Sequence, residues 1–97
     1  MAPDTLNKVK AFIRISHTKL DQAITDDIEA CLADLEVHGI VNKNDADPLI
    51  LNAIKLWCKA IYTDDTAKAT EWQSRYVTQR NYLKSAEGYG WEAPKDE

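Results

Sequence analysis

With 97 residues, 44% of them hydrophobic and 29% charged, the chain is long enough for one modest core and too short for two. Its net charge of −4 argues against nucleic acid as a main partner, because such binding rests on Lys and Arg neutralising phosphates. Three Gly and three Pro leave little of the turn chemistry of a β-sandwich, and no apolar run approaches the roughly 20 residues of a membrane span.

The pattern predicts an all-α protein: a small bundle of about four helices over residues 1–87, followed by a flexible C-terminal tail over 88–97. A first helix opens at Asp4 or Thr5, either of which can cap. It carries Leu6, Val9, Phe12 and Ile13 on one side and ends near Ile15. Met1 to Lys10 lacks the charged-then-apolar order of a signal peptide, so the expected residence is cytoplasmic. Two cysteines, Cys31 and Cys58, fit a reducing compartment.

The second helix is the most regular. Thr18 and Asp21 have the spacing of a capping box, with Asp in place of the usual Glu. Leu20, Ile24, Ile28, Cys31, Leu32 and Leu35 then fall in an arc of about 120°, the width of a core-facing stripe. Gly39 is the expected stop. A polar loop, Ile40 to Ala46, leads to Asp47-Pro48, a cap with proline at the first helical position.

The third helix, Pro48 to about Thr63, differs in kind. Apolar residues cover about two-thirds of its circumference and leave Asn52, Lys55 and Lys59 as its polar edge. Such a helix is central to the fold or covered on a second side by a partner. The fourth runs from Asp65 or Thr66 to about Ala86, with a narrow seam of Ala69, Trp72, Tyr76 and Leu83. Beyond it Tyr89 and Trp91 are two large aromatics on a segment too polar to fold alone.

Motifs for chemistry are weak. Asn42, Asn44, Asp45 and Asp47 resemble an oxygen-ligand calcium loop, but the sixth and twelfth positions counted from Asn42 hold Asp47 and Ala53 where Gly and Glu are required. Asp34 and His38 stand four apart, and two ligands make no zinc site; a histidine favoured by the helix C-terminus is the plainer reading. No serine lies in a nucleophile elbow, and Gly88 and Gly90 lack the flanking strand and helix of a phosphate loop. The residues point to no catalytic group, no metal and no cofactor.

Charge segregation is more informative. Thr18 to His38 carries six acids (Asp21, Asp26, Asp27, Glu29, Asp34, Glu36) against Lys19. Thr66 to Ala86 carries Lys68, Arg75, Arg80 and Lys84 against Glu71. Two solvated faces of a monomer would look like this; so would complementary surfaces on neighbouring copies. On the second reading Asp26, Glu29, Asp34, Glu36, Lys55, Lys59, Arg75, Arg80 and Lys84 are the subunit-interface candidates. Tyr89 and Trp91 either fold back onto their own domain or are candidates for a partner's groove, since Tyr and Trp are enriched at interfaces.

Thr5-Leu6-Asn7-Lys8-Val9-Lys10-Ala11-Phe12-Ile13-Arg14-Ile15, with the amphipathic helix after it, resembles the opening of the tailed-bacteriophage head–tail connector (adaptor, head completion) proteins. Leu49 to Ala60 is similar to the third helix of members from Gram-positive phages and prophages, and Asn81-Tyr82-Leu83-Lys84 continues the likeness. The resemblance spans roughly residues 5 to 91 and rests on apolar patterns. It implies a helical bundle that assembles as a ring of about twelve copies under the portal protein. That ring extends the DNA channel and presents a platform to a tail or stopper protein. It places the chain in the virion, and in host cytoplasm during assembly, with no catalytic residues, no sequence-specific nucleic acid and no membrane. Tyr89 and Trp91 would meet the portal. A small helical phage or host regulatory protein that binds a partner is the alternative. A helix-turn-helix DNA binder ranks lower, because the most regular helix is acidic.

Overall fold

Residues 2–42 and 44–86 are described in the structure, a computed structural model, and they form an all-α bundle of four helices. These are α1 (Thr5–Ile13), α2 (Asp21–Val37), α3 (Pro48–Tyr62) and α4 (Thr66–Ser85). The expected tail, with Tyr89 and Trp91, lies outside the described residues. Within them no helix is long and apolar enough to cross a membrane.

Helix α3 is central. It packs against each of the other three, and Ile50, Leu51, Ala53, Ile54, Leu56 and Cys58 are all buried. Its own chain therefore supplies most of the cover that its composition demands. From α2 come Ile24, Ile28, Cys31 and Leu35, from α1 Val9 and Ile13, and from α4 only Tyr76 and Leu83. Asp47 caps α3 by accepting from the Leu49 amide at 2.8 Å, with Pro48 at the first position, and Asp65 caps α4 through the Ala67 and Lys68 amides.

The first two caps differ from expectation. Asp4 makes no side-chain cap, and the Thr5 hydroxyl donates instead to Asp45 Oδ2 at 2.6 Å. No capping box forms at Thr18, whose carbonyl merely accepts from the Asp21 amide. The Asp21 carboxylate turns to Lys10, with Oδ1 2.6 Å from Nζ, a charge contact without the directionality of a hydrogen bond. Leu20 is correspondingly not part of the core stripe; it precedes the helix and is 36% exposed.

Both α1 and α2 end in the same six-residue closure. At α2 the Ile40 amide returns to the Leu35 carbonyl and Gly39, at φ +88°, to that of Glu36, which seats Ile40 in the core. At α1 the Ile15 amide returns to Lys10 and Arg14 takes the left-handed position at φ +63°. That ends α1 two residues sooner than the apolar pattern indicates. An L-residue there costs about 1–2 kcal/mol, offset in part by the greater unfolded freedom of Gly. Arg14→Gly should therefore raise stability by roughly 0.5–1 kcal/mol, read as a higher urea midpoint at unchanged slope.

The Asn/Asp-rich loop has a structural job. Asn42 and Asn44 side chains each accept from the amide two residues on, and Asp45, only 7% exposed, accepts from the Ala2 amide at 2.7 Å as well as from Thr5. Burial alone would raise the Asp45 pKa; the Thr5 and Ala2 hydrogen bonds outweigh it and hold the carboxyl below its usual value. With the folded value depressed, the stabilisation is present above the unfolded value near 3.9 and is lost as pH falls through the folded one. Asp45→Asn should cost about 2 kcal/mol at neutral pH, with the gap to wild type closing in acid-titrated denaturant melts.

Candidate functional site

One trough is open on the surface, about 380 Å³ in volume, between α4 and the C-terminal half of α3 with α2 at its end. Trp57, Ala60 and Ile61 of α3 form one side; Gln73, Tyr76, Val77 and Arg80 of α4 and Asp34 of α2 form the rest. Ile61 and Val77 are 48% and 38% exposed, so apolar surface faces water here.

Asp34 organises the closed end. Its Oδ2 accepts from the Tyr76 hydroxyl at 2.6 Å and from Arg80 Nη1 at 3.2 Å. His38 meets it too, through Nδ1 at 2.8 Å from the Asp34 carbonyl oxygen and 3.6 Å from Oδ1. The Arg80 guanidinium lies 5.7 Å from the Tyr76 ring centre, and Trp57 packs edge-on to that ring at 5.1 Å. Burial, with the charge and hydrogen bond of Asp34, pushes the Tyr76 phenol far up, so it stays a donor. Burial also pushes both thiols up, Cys58 to about 12, so neither is a thiolate at neutral pH.

Two N–H groups in the trough residues remain unmatched. Trp57 Nε1 and Arg80 Nε are shielded from water and find no acceptor among the described residues. A buried donor left in that state costs about 1–3 kcal/mol. The trough is thus mainly apolar-walled, and the two unmatched N–H groups lie beneath its surface.

The interface candidates divide. Asp34 and Arg80 pair with each other inside one chain, with side chains 25% and 17% exposed. More broadly, α2 uses three of its acids as ties to three different helices: Asp21 to Lys10 of α1, Asp27 to Tyr62 of α3 at 2.6 Å, and Asp34 to α4. Asp26, Glu29 and Glu36 are exposed, with Asp26 accepting from Gln22 of its own helix. Lys84 is exposed in the last turn of α4, where a cation complements the helix dipole.

Lys55, Lys59 and Arg75 gather at a second place, around Phe12 and Trp72. These rings meet edge-on at 5.8 Å. Lys55 and Lys59 lie 5.8 and 5.9 Å from the Phe12 ring centre; Lys59 also reaches Trp72, and Arg75 stacks over Trp72 at 4.7 Å. Glu71 is 3.6 Å from Arg75. The result is a cationic ledge with an aromatic floor contributed by α1, α3 and α4.

Sequence reasoning missed the trough residues Ala60, Ile61, Gln73 and Val77. A signal existed in the third helix, whose apolar residues exceed what three neighbours can cover. No group of three or more His, Cys, Asp or Glu among the described residues could hold a metal ion, and the loop acids are spent on caps and tethers.

No family model matches the chain, and neither a curated protein nor a solved structure matches it.

Tyr76→Phe keeps the ring packing and removes the donor to Asp34, so a loss of about 1–2 kcal/mol is expected in urea unfolding, with the helical CD spectrum unchanged.

Proposed function

We propose that this chain is a structural head–tail connector protein of a tailed bacteriophage. It assembles as a ring under the portal, extends the DNA channel and links the head to a tail or stopper protein. The observation that carries this reading is a pair of oppositely charged surfaces on different helices of one small domain. Asp26 and Glu29 are exposed on α2, while Lys55, Lys59 and Arg75 form the ledge over Phe12 and Trp72. Two unlike, complementary surfaces are what a head-to-tail contact needs, and a head-to-tail contact closes into a ring when its rotation allows. The likeness of residues 5 to 91 to connector proteins supplies the phage context, with the portal met through Tyr89 and Trp91.

A small helical regulator that binds one partner protein is the second reading, favoured by the trough on α3 and α4. It predicts a monomer or dimer where the connector reading predicts a ring.

The test uses Lys59→Glu with Arg75→Glu, neither of which holds the core together. Electron microscopy and light scattering of the protein mixed with its portal should show rings for wild type and none for the double variant. Adding Asp26→Lys and Glu29→Lys to the double variant should restore assembly. An assembled mass that ignores the reversals removes the charge-paired ring.

A further inference from the structure

We infer that the ledge over Phe12 and Trp72 seats the outer face of α2 from a second copy, with Asp26 and Glu29 on Lys55 and Lys59 and with Val37 toward Trp72. The inference rests on the ring reading above. It adds which face of α2 enters the contact, in which direction, and an apolar anchor.

The ledge sets what its occupant must carry. Lys55 and Lys59 stand over the Phe12 ring and Arg75 over Trp72, so the surface is cationic from end to end. The methylene stems of these cations and the half-buried rings leave apolar area between the charges. Arg75 already has Glu71 at 3.6 Å, so the call for further acids is greatest at the Phe12 end. The matching surface therefore brings acids to one end and an apolar side chain to the other.

The outer face of α2 has that composition. The exposed large hydrophobics among the described residues are Leu20, Val37, Val41, Ile61, Val77 and Tyr82. Ile61 and Val77 line the trough beside Arg80, Tyr82 stands on the basic α4, and Leu20 adjoins Asp21, which is tied to Lys10. Val37 is 80% exposed, and its own helix also exposes Asp26 and Glu29.

The lengths agree. Asp26, Ala30, Ala33 and Val37 are all exposed and fall within about 60° of one another around α2, three turns or roughly 16 Å from first to last. On the ledge, Arg75 is 4.7 Å from the Trp72 ring centre, Trp72 is 5.8 Å from Phe12, and Phe12 is 5.8 Å from Lys55. Those steps span a similar reach, about three turns of helix. Between the acids and the valine, the short side chains of Ala30 and Ala33 let α2 lie close. The ledge belongs to α1, α3 and α4 and the acids to α2, so the contact is head-to-tail between copies.

Disulfide cross-linking between two singly substituted copies of the full chain, mixed with the portal, tests this. Cys31 and Cys58 are buried and stay out of the reaction, and none of the four substituted positions is buried. With diamide as oxidant, Val37→Cys should form the mixed covalent dimer with Glu71→Cys roughly tenfold faster than with Lys55→Cys, because a disulfide spans at most about 7 Å between Cα atoms. Glu29→Cys should show the reverse preference, for Lys55→Cys over Glu71→Cys. Equal rates in both comparisons overturn the seat, and so do the opposite preferences. Rings in the electron microscope alongside equal rates overturn this seat while the ring stands. The expected preferences without rings uphold the seat and remove the closed ring.

Discussion

The fold depends on one constraint, the excess of apolar surface on α3. A helix with a single polar edge cannot lie at the margin of a small domain; it has to be surrounded. The other three helices are arranged to do that, each laying a stripe on a different side of α3, and none of them needs to be strongly amphipathic. Helix α4 is the extreme case. It fully buries only Tyr76 and Leu83 along its length, with Ala69, Trp72, Gln79 and Arg80 half-buried. Its place is fixed by what α3 requires more than by its own pattern.

Stripes this narrow leave each flanking helix free to roll, and hydrophobic contact is non-directional. Direction comes from carboxylates. Asp21, Asp27 and Asp34 project from the two borders of the α2 core stripe and reach Lys10, Tyr62 and the Tyr76–Arg80 pair, one tie to each remaining helix. Asp45 does the same for the start of α1 from the loop. Partly buried charge of this sort contributes less to stability than to specifying one arrangement, because a rotated helix would strand the acid without its partner. The domain is thus apolar at its axis and acid-pinned at its seams.

That division explains what was legible beforehand. Long apolar periodicity located all four helices, and Asp47-Pro48 and Gly39 marked two of their ends, because caps and stripes are local signals. The sharp end of α1 was hidden because Arg14 occupies a left-handed position that residue type does not announce. The role of Asp34 was hidden for a different reason: its partners are 42 and 46 residues away. A count of acids on one helix cannot separate those that face solvent from those that face a neighbour. Position relative to the stripe can: Asp27 and Asp34 lie one residue before Ile28 and Leu35, on its border, while Asp26, Glu29 and Glu36 fall on the exposed side.

What α3 is denied by its neighbours then defines the surface available for binding. The cover is incomplete beside Ala60 and Ile61, which leaves the trough along α4. On the far side of α4 the cover is made by Phe12 and Trp72, too large to be hidden in a domain this size, and cations from α3 and α4 settle on their faces. Both features arise from one cause, a core helix more apolar than a small bundle can enclose. Their chemistry differs, since one surface is lined mainly by apolar side chains and the other gathers cations over aromatic rings.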